Sequence, residues 1–335
     1  MAQRIEFIDL AKGICISLVV LLHVFGELSG GFIQLMNLFR MPLYFVLSGL
    51  FFKTYDGMLP FIKKKTNKLL IPFFMTFFLI VLPTTLLLNE FEGKTTTLLN
   101  LFFGGTGKFN LGIDGAIWFL LCLFVVNIYF YLIFLVTKSH VFAISVLSVI
   151  LGLSGYTMSQ YGFHLPMWMD SALTAMPFFL FGYLLRCYSD VLYGSFSKQD
   201  VIYAIVSFVV LFSVYLYDKW LGESTIVYGE NIFNISFLSL YIGGAFGTYF
   251  ILMVAKFFGH LSILSYIGRY SIVVLITHLL YLFAIRNILY HFGVSQDEIC
   301  LNILVFIIIM ILSISTIFFC VKYLPIWFAQ KDIWQ

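Results

Sequence analysis

Arg4-Ile-Glu-Phe-Ile-Asp9-Leu-Ala-Lys12-Gly-Ile-Cys-Ile-Ser-Leu-Val-Val-Leu-Leu-His23 opens the first long apolar run of the chain. Its length and composition predict a membrane-spanning helix. Lys12 stands near its start and His23 eleven residues later. Ionisable side chains are costly in hydrocarbon, so they face a protein interior or a wet cavity, and a functional role is the default reading. On an α-helix the two residues lie about 16 Å apart along the axis, roughly half the membrane core. The run therefore points to a path that reaches from one face into the opposite half of the bilayer.

The rest of the chain repeats this chemistry. Of 335 residues, 61% are hydrophobic and only 10% charged, whereas soluble domains are about half apolar and a quarter charged. The expected fold is an all-α integral membrane protein with ten spanning helices, near 8–28, 37–54, 69–88, 116–136, 141–157, 171–187, 201–218, 233–256, 272–290 and 299–322. It reads as one polytopic domain over 1–335, with no separate soluble domain and no cleavable signal. Lys and Arg divide fourteen against five between the two sides these spans define, which places both termini in the cytoplasm. The net charge of +3 gives no reason to expect nucleic acid. The five cysteines show no paired spacing and read as small packing residues.

Several residues are candidates for chemistry. A neutral imidazole at His23 can accept a proton from a hydroxyl, which suits a general base. Lys12 either shares that site or snorkels to the interface, with Asp9 three residues earlier as its neighbour on one face. Glu27 follows His23 by four residues and either orients the imidazole or is solvated at the helix end. Arg40, Ser48, Trp118 and His278 are candidates for substrate contact; packing or interfacial anchoring is the competing reading for each. Lys63, Lys64, Lys65 and Lys68 form a basic cluster that sets topology and attracts anionic lipid, or holds the phosphates of a donor. The six histidines form no HxxxH or HExxH pattern, so no metal site is expected.

These segments together resemble the acyltransferase-3 membrane family. Lys12-x10-His23 is similar to that family's basic-residue-x10-His signature. In order follow Phe39-Arg40-Met41-Pro42-Leu43-Tyr44-Phe45-Val46-Leu47-Ser48-Gly49, the basic run into Pro72, Ile117-Trp118-Phe119-Leu120, Pro177-Phe178-Phe179-Leu180-Phe181-Gly182-Tyr183, and Ile267-Gly268-Arg269-Tyr270-Ser271 before His278. The set looks most like the branch that O-acetylates sugars.

The resemblance implies a ten-helix O-acyltransferase of the bacterial cytoplasmic membrane. It implies transfer of acetyl from acetyl-CoA to a hydroxyl of a cell-surface glycan or lipid-linked sugar. His23 would be the catalytic residue, as general base or acyl relay, and Lys12 its signature partner. The lysine cluster and Arg269 would face the donor. Lysines stand where many relatives carry arginine, so each binds phosphate as a point charge without the bidentate fork. A transporter or flippase of a polar lipid or sugar is the rival reading, because buried cations also line transport paths.

Overall fold

The structure is a computed structural model that describes residues 5–26, 30–87, 108–109, 111, 113–192, 194–222, 225–295 and 298–334. Its first helix, α1, is Glu6–Phe25, and α2 is Gly30–Leu50. Next comes α3, a continuous helix over 58–87 interrupted by π-helical turns at Thr66–Leu70 and Phe77–Val81. A 3-10 turn, Gly115–Ile117, leads into α4, Trp118–Val136. Then follow α5 (Val141–Gln160), α6 (Met169–Tyr188), α7 (Lys198–Leu221), α8 (Phe237–Phe258), the short α9 (Ser262–Arg269), α10 (Ser271–His291) and α11 (Ile299–Tyr323). The one sheet among the described residues is a hairpin pairing Ile226–Val227 with Ile232–Phe233.

Nine of these helices are long and apolar enough to cross a membrane. The tenth long helix, α2, carries Gln34, Asn37 and Arg40 in its first half, which lowers its apolarity. The expected all-α membrane protein is therefore the observed one. The largest boundary differences are two helix starts, and the span expected from 233 begins at Phe237, after the hairpin strand Ile232–Phe233. The second helix begins at Gly30 rather than 37, and the third begins at Met58 rather than 69. In the latter, the lysine cluster forms the first turns of the helix and does not precede it.

Close backbone approach fixes the helices that carry the site. Gly49 of α2 and Gly182 of α6 face each other's helices: a Cβ on Gly49 would run into the Phe179 carbonyl oxygen, and one on Gly182 into that of Val46. Gly13 and Gly268 do the same for α1 and α9, against Leu264 and Asp9. In lipid, where apolar side chains gain little by leaving their surroundings, such small-residue crossings supply much of the association energy. Gly182→Val is accordingly expected to cost about 1 to 3 kcal/mol by overpacking, read as a lower Tm and a smaller monodisperse peak in detergent.

The helices are also pinned antiparallel by polar contacts. Cys15 Sγ donates to the Arg40 carbonyl at 2.8 Å, and the Tyr44 hydroxyl donates to that of Lys12 at 3.3 Å. These pairings place Arg40 level with Cys15, about 12 Å along α1 from His23.

Candidate active site

A cavity of about 690 Å³ opens between α1, α2, α4 and α10, within the usual size of small-molecule sites. Its walls are mostly apolar, from Val19 and Leu22 to Leu120 and Leu275, with a few polar groups among them. The polar groups are His23, Asn37, Arg40, Tyr44, Lys108, Tyr228, Glu230 and Ser271, and Trp118 and Trp168 flank them.

His23 lies in the last turn of α1, two residues before Phe25, and its side chain is exposed to the cavity. His278 stands beside it, with ring centroids 5.3 Å apart and planes tilted by 43°. His278 is buried, and its Nδ1 lies 2.8 Å from the Val274 carbonyl. That carbonyl can only accept, so Nδ1 carries the proton and Nε2 is left with a lone pair. Nε2 is buried with no hydrogen-bond partner. His278 thus backs the cavity imidazole and does not itself line the cavity.

The other expected residues are dispersed. Arg40 and Trp118 line the cavity with His23. Lys12 does not line it, although its carbonyl receives the hydrogen bond from Tyr44, which does. Ser48 pairs instead with buried Asn127, whose Nδ2 lies 3.1 Å from the serine hydroxyl. Arg269 is exposed at the end of α9. Glu27 lies outside the described residues.

The lysine cluster meets the cavity only through its neighbour. Leu69 is in the wall, and Lys65 precedes it by one turn of α3, its Nζ 5.6 Å from the Phe61 ring centroid. Lys64 and Lys68 grip Asp332 at 2.7 and 2.9 Å. Asn67, in the π-helical turn, donates to the Trp334 carbonyl at 2.8 Å and accepts from the Ile333 amide at 3.0 Å. The end of the chain is thereby clasped against the basic cluster.

Burial works against a charged Asp332, but hydrogen bonds and positive charge from Lys64 and Lys68 prevail and hold its carboxyl below the ordinary range. A lowered carboxyl contributes fully above the ordinary value and is lost as pH falls through the lowered one. The clasp should therefore be constant from neutral pH down to about pH 5 and loosen only in acid. With both lysines partly exposed, Asp332→Asn is expected to cost less than about 1 kcal/mol, seen as faster proteolysis of the C-terminal segment at unchanged Tm.

Sequence reasoning missed the buried polar group that holds wall residue Lys108. Asp170, fully buried in the first turn of α6, accepts from Lys108 at 3.2 Å and lies 3.1 Å from His164 Nδ1. Trp168 Nε1 donates to the Gly229 carbonyl at 2.7 Å, joining the turn before α6 to the hairpin. Met167 and Trp168 both adopt left-handed backbone conformations, φ 55° and 57°, which is costly for bulky residues and gathers at sites where the surroundings enforce it. An acidic residue at the start of an apolar span was the available signal. Its partner 62 positions away was not.

Asp114, at the entrance to the 3-10 turn, is also buried, with neither carboxyl oxygen partnered. Burial pushes its carboxyl well above the ordinary range.

A bundle of apolar helices around a cavity with an imidazole, a guanidinium and an ammonium in its wall defines a membrane protein that does chemistry or transport within its helices. The acyltransferase-3 family, described as an acyltransferase domain, matches residues 5–321, and the chain belongs to it. It is therefore a multi-pass membrane acyltransferase. No curated protein and no solved structure gives a match.

Proposed function

We propose that the protein transfers acetyl from acetyl-CoA to a hydroxyl of a cell-surface glycan or lipid-linked sugar, in a bacterial cytoplasmic membrane with both termini inside. The observation that carries this reading is His23: a titratable side chain open to a ligand-sized cavity and backed by a second imidazole.

The reaction needs one proton carrier. His23 takes the proton of the acceptor hydroxyl, and the oxygen attacks the thioester carbonyl carbon. The C–S bond breaks, and the CoA thiolate leaves with the proton that His23 returns. Nε2 of His278, with its unused lone pair, can accept from the His23 ring and fix its orientation, the part a carboxylate plays behind other catalytic histidines. The donor enters from the lysine-rich end. Lys65 precedes wall residue Leu69 by a turn, so phosphates held there leave the pantetheine arm free to enter the cavity. Lys64 and Lys68 reach the same phosphates only after releasing Asp332. Lys12 and Arg269 belong to this donor half of the reading. A variant of the mechanism passes the acetyl group through His23 itself as nucleophile.

The test is transfer of labelled acetyl from acetyl-CoA in membranes that contain the chain, with mass spectrometry of surface glycans. Acceptor-dependent label and a one-acetyl mass increment support the reading. Movement of unmodified sugar or lipid with no thioester consumed would replace it with transport. Label trapped on protein in the absence of acceptor selects the relay.

A further inference from the structure

Arg40 brings a charge to the cavity that no described carboxylate balances. Its Nε is buried with no hydrogen-bond partner. Among the described residues no carboxylate stands within ion-pair distance of its guanidinium. Lys108, the other cation of the wall, already has Asp170. Glu230 is the only acidic residue among those described in the wall, and it is exposed. Around Arg40 lie neutral groups with unused capacity. The hydroxyl of buried Tyr228 and Oδ1 of Asn37, three residues earlier on α2, are both buried without partners.

A buried ion with no counter-charge is unfavourable, and the usual resolution is an opposite charge or a bound ligand. An oxyanion that exists only during transfer does not supply this in the resting complex, whereas a permanent anion does. The donor's own phosphates sit at the far end of the pantetheine arm from the acetyl group, toward the lysine cluster in the reading above. The remaining source is the acceptor.

We infer that the acceptor carries a fixed anionic group, a phosphate or a carboxylate, seated on Arg40 with the Tyr228 hydroxyl as a second donor. This rests on the transferase reading and specifies its acceptor. Guanidinium matches either oxyanion with two parallel N–H groups. The geometry also fits one molecule with two separate groups. Arg40 is about 12 Å below His23 along the helix axis, and long helical side chains lean toward the helix N-terminus, which for α2 is the His23 end. That lean brings the guanidinium nearer His23 than the backbone spacing, within reach of one acceptor that presents both an anion and a hydroxyl.

The test reads binding, with no donor present, on the full chain in nanodiscs. The probes are glucose, glucose 1-phosphate, glucuronic acid and inorganic phosphate. At least one charged sugar should bind about tenfold or more tighter than glucose, with an advantage that shrinks at high salt. Competition by inorganic phosphate marks a phosphate site, and tighter binding of glucuronic acid marks a carboxylate site. Arg40→Gln should remove the preference, so that charged sugars bind no tighter than glucose does to the same variant. Tyr228→Phe, which removes only a hydroxyl, should weaken the charged sugar several-fold and covers the case in which the arginine variant does not fold. Equal binding of charged and uncharged sugars, or a preference unaffected by both substitutions, would overturn the inference. Charge-selective binding in a chain that transfers no acetyl would keep it and sink the acetyl-transfer reading. Transfer to a neutral sugar without such selectivity would do the reverse.

Discussion

His23→Ala is expected to lower acetyl transfer by about a hundred- to ten-thousand-fold, the range that one positioned general base supplies. The variant should still fold. His23 is exposed to the cavity and not packed in the core, so its truncation leaves no new void between helices. The readout is kcat at matched protein level, beside the Tm of purified protein. Transfer within about threefold of wild type would remove His23 from the chemistry, because a base that matters cannot be replaced by a methyl group at that cost. His278→Asn separates positioning from packing. Asparagine can still bond the Val274 carbonyl but presents no ring beside His23. A positioning role predicts a lower kcat at unchanged KM and an altered pH profile; a structural role predicts a lower Tm alone.

Much of this was legible because membrane helices announce themselves locally. Lys12 and His23 stand out against hydrocarbon within a single segment, and the structure keeps His23 at a cavity. Arg40 and Trp118 were likewise visible as polar or interfacial residues in apolar surroundings, and both line that cavity. Local pattern failed where tertiary contacts decide. The second span was expected from 37, where the apolar run thickens, yet the helix already starts at Gly30. The basic cluster was expected ahead of the third helix, yet it forms helical turns, and Lys64 and Lys68 are met by Asp332, more than 260 positions away. Ser48 looked like a candidate for substrate contact on its helix, and its partner turned out to be Asn127, 79 positions away.

The cavity also gains coherence from where its rigid parts lie. Glycine crossings hold α2 to α6 and α1 to α9 at backbone distance. Arg40 and His23 are therefore each carried on a helix packed at backbone distance against a neighbour, α2 on α6 and α1 on α9. Lys108, by contrast, comes from outside the helices. Its Nζ is held by the Asp170 carboxylate at 3.2 Å and the Gly229 carbonyl at 3.5 Å.

Asp170→Ala is the substitution expected to damage the structure most. Asp170 is 0% exposed and Lys108 is 8% exposed, and removing one member of a buried pair costs about 3 to 5 kcal/mol because the other charge stays behind. His164 loses its partner by the same change. The loss should spread, since the next residues toward the N-terminus hold the hairpin: Trp168 bonds the Gly229 carbonyl, and Gly229 lies against Trp118 of the cavity wall. A lower Tm should therefore come with a higher KM for the acceptor, while donor hydrolysis without acceptor changes less. Asp170→Ala with Lys108→Met removes both charges together and should recover part of the Tm, as replacing a buried ion pair by apolar groups often does. It should not recover the KM, because Lys108 is itself a wall residue. If the double variant is no more stable than the single one, the cost of Asp170→Ala is lost packing and the ion pair is not what holds this end of the cavity.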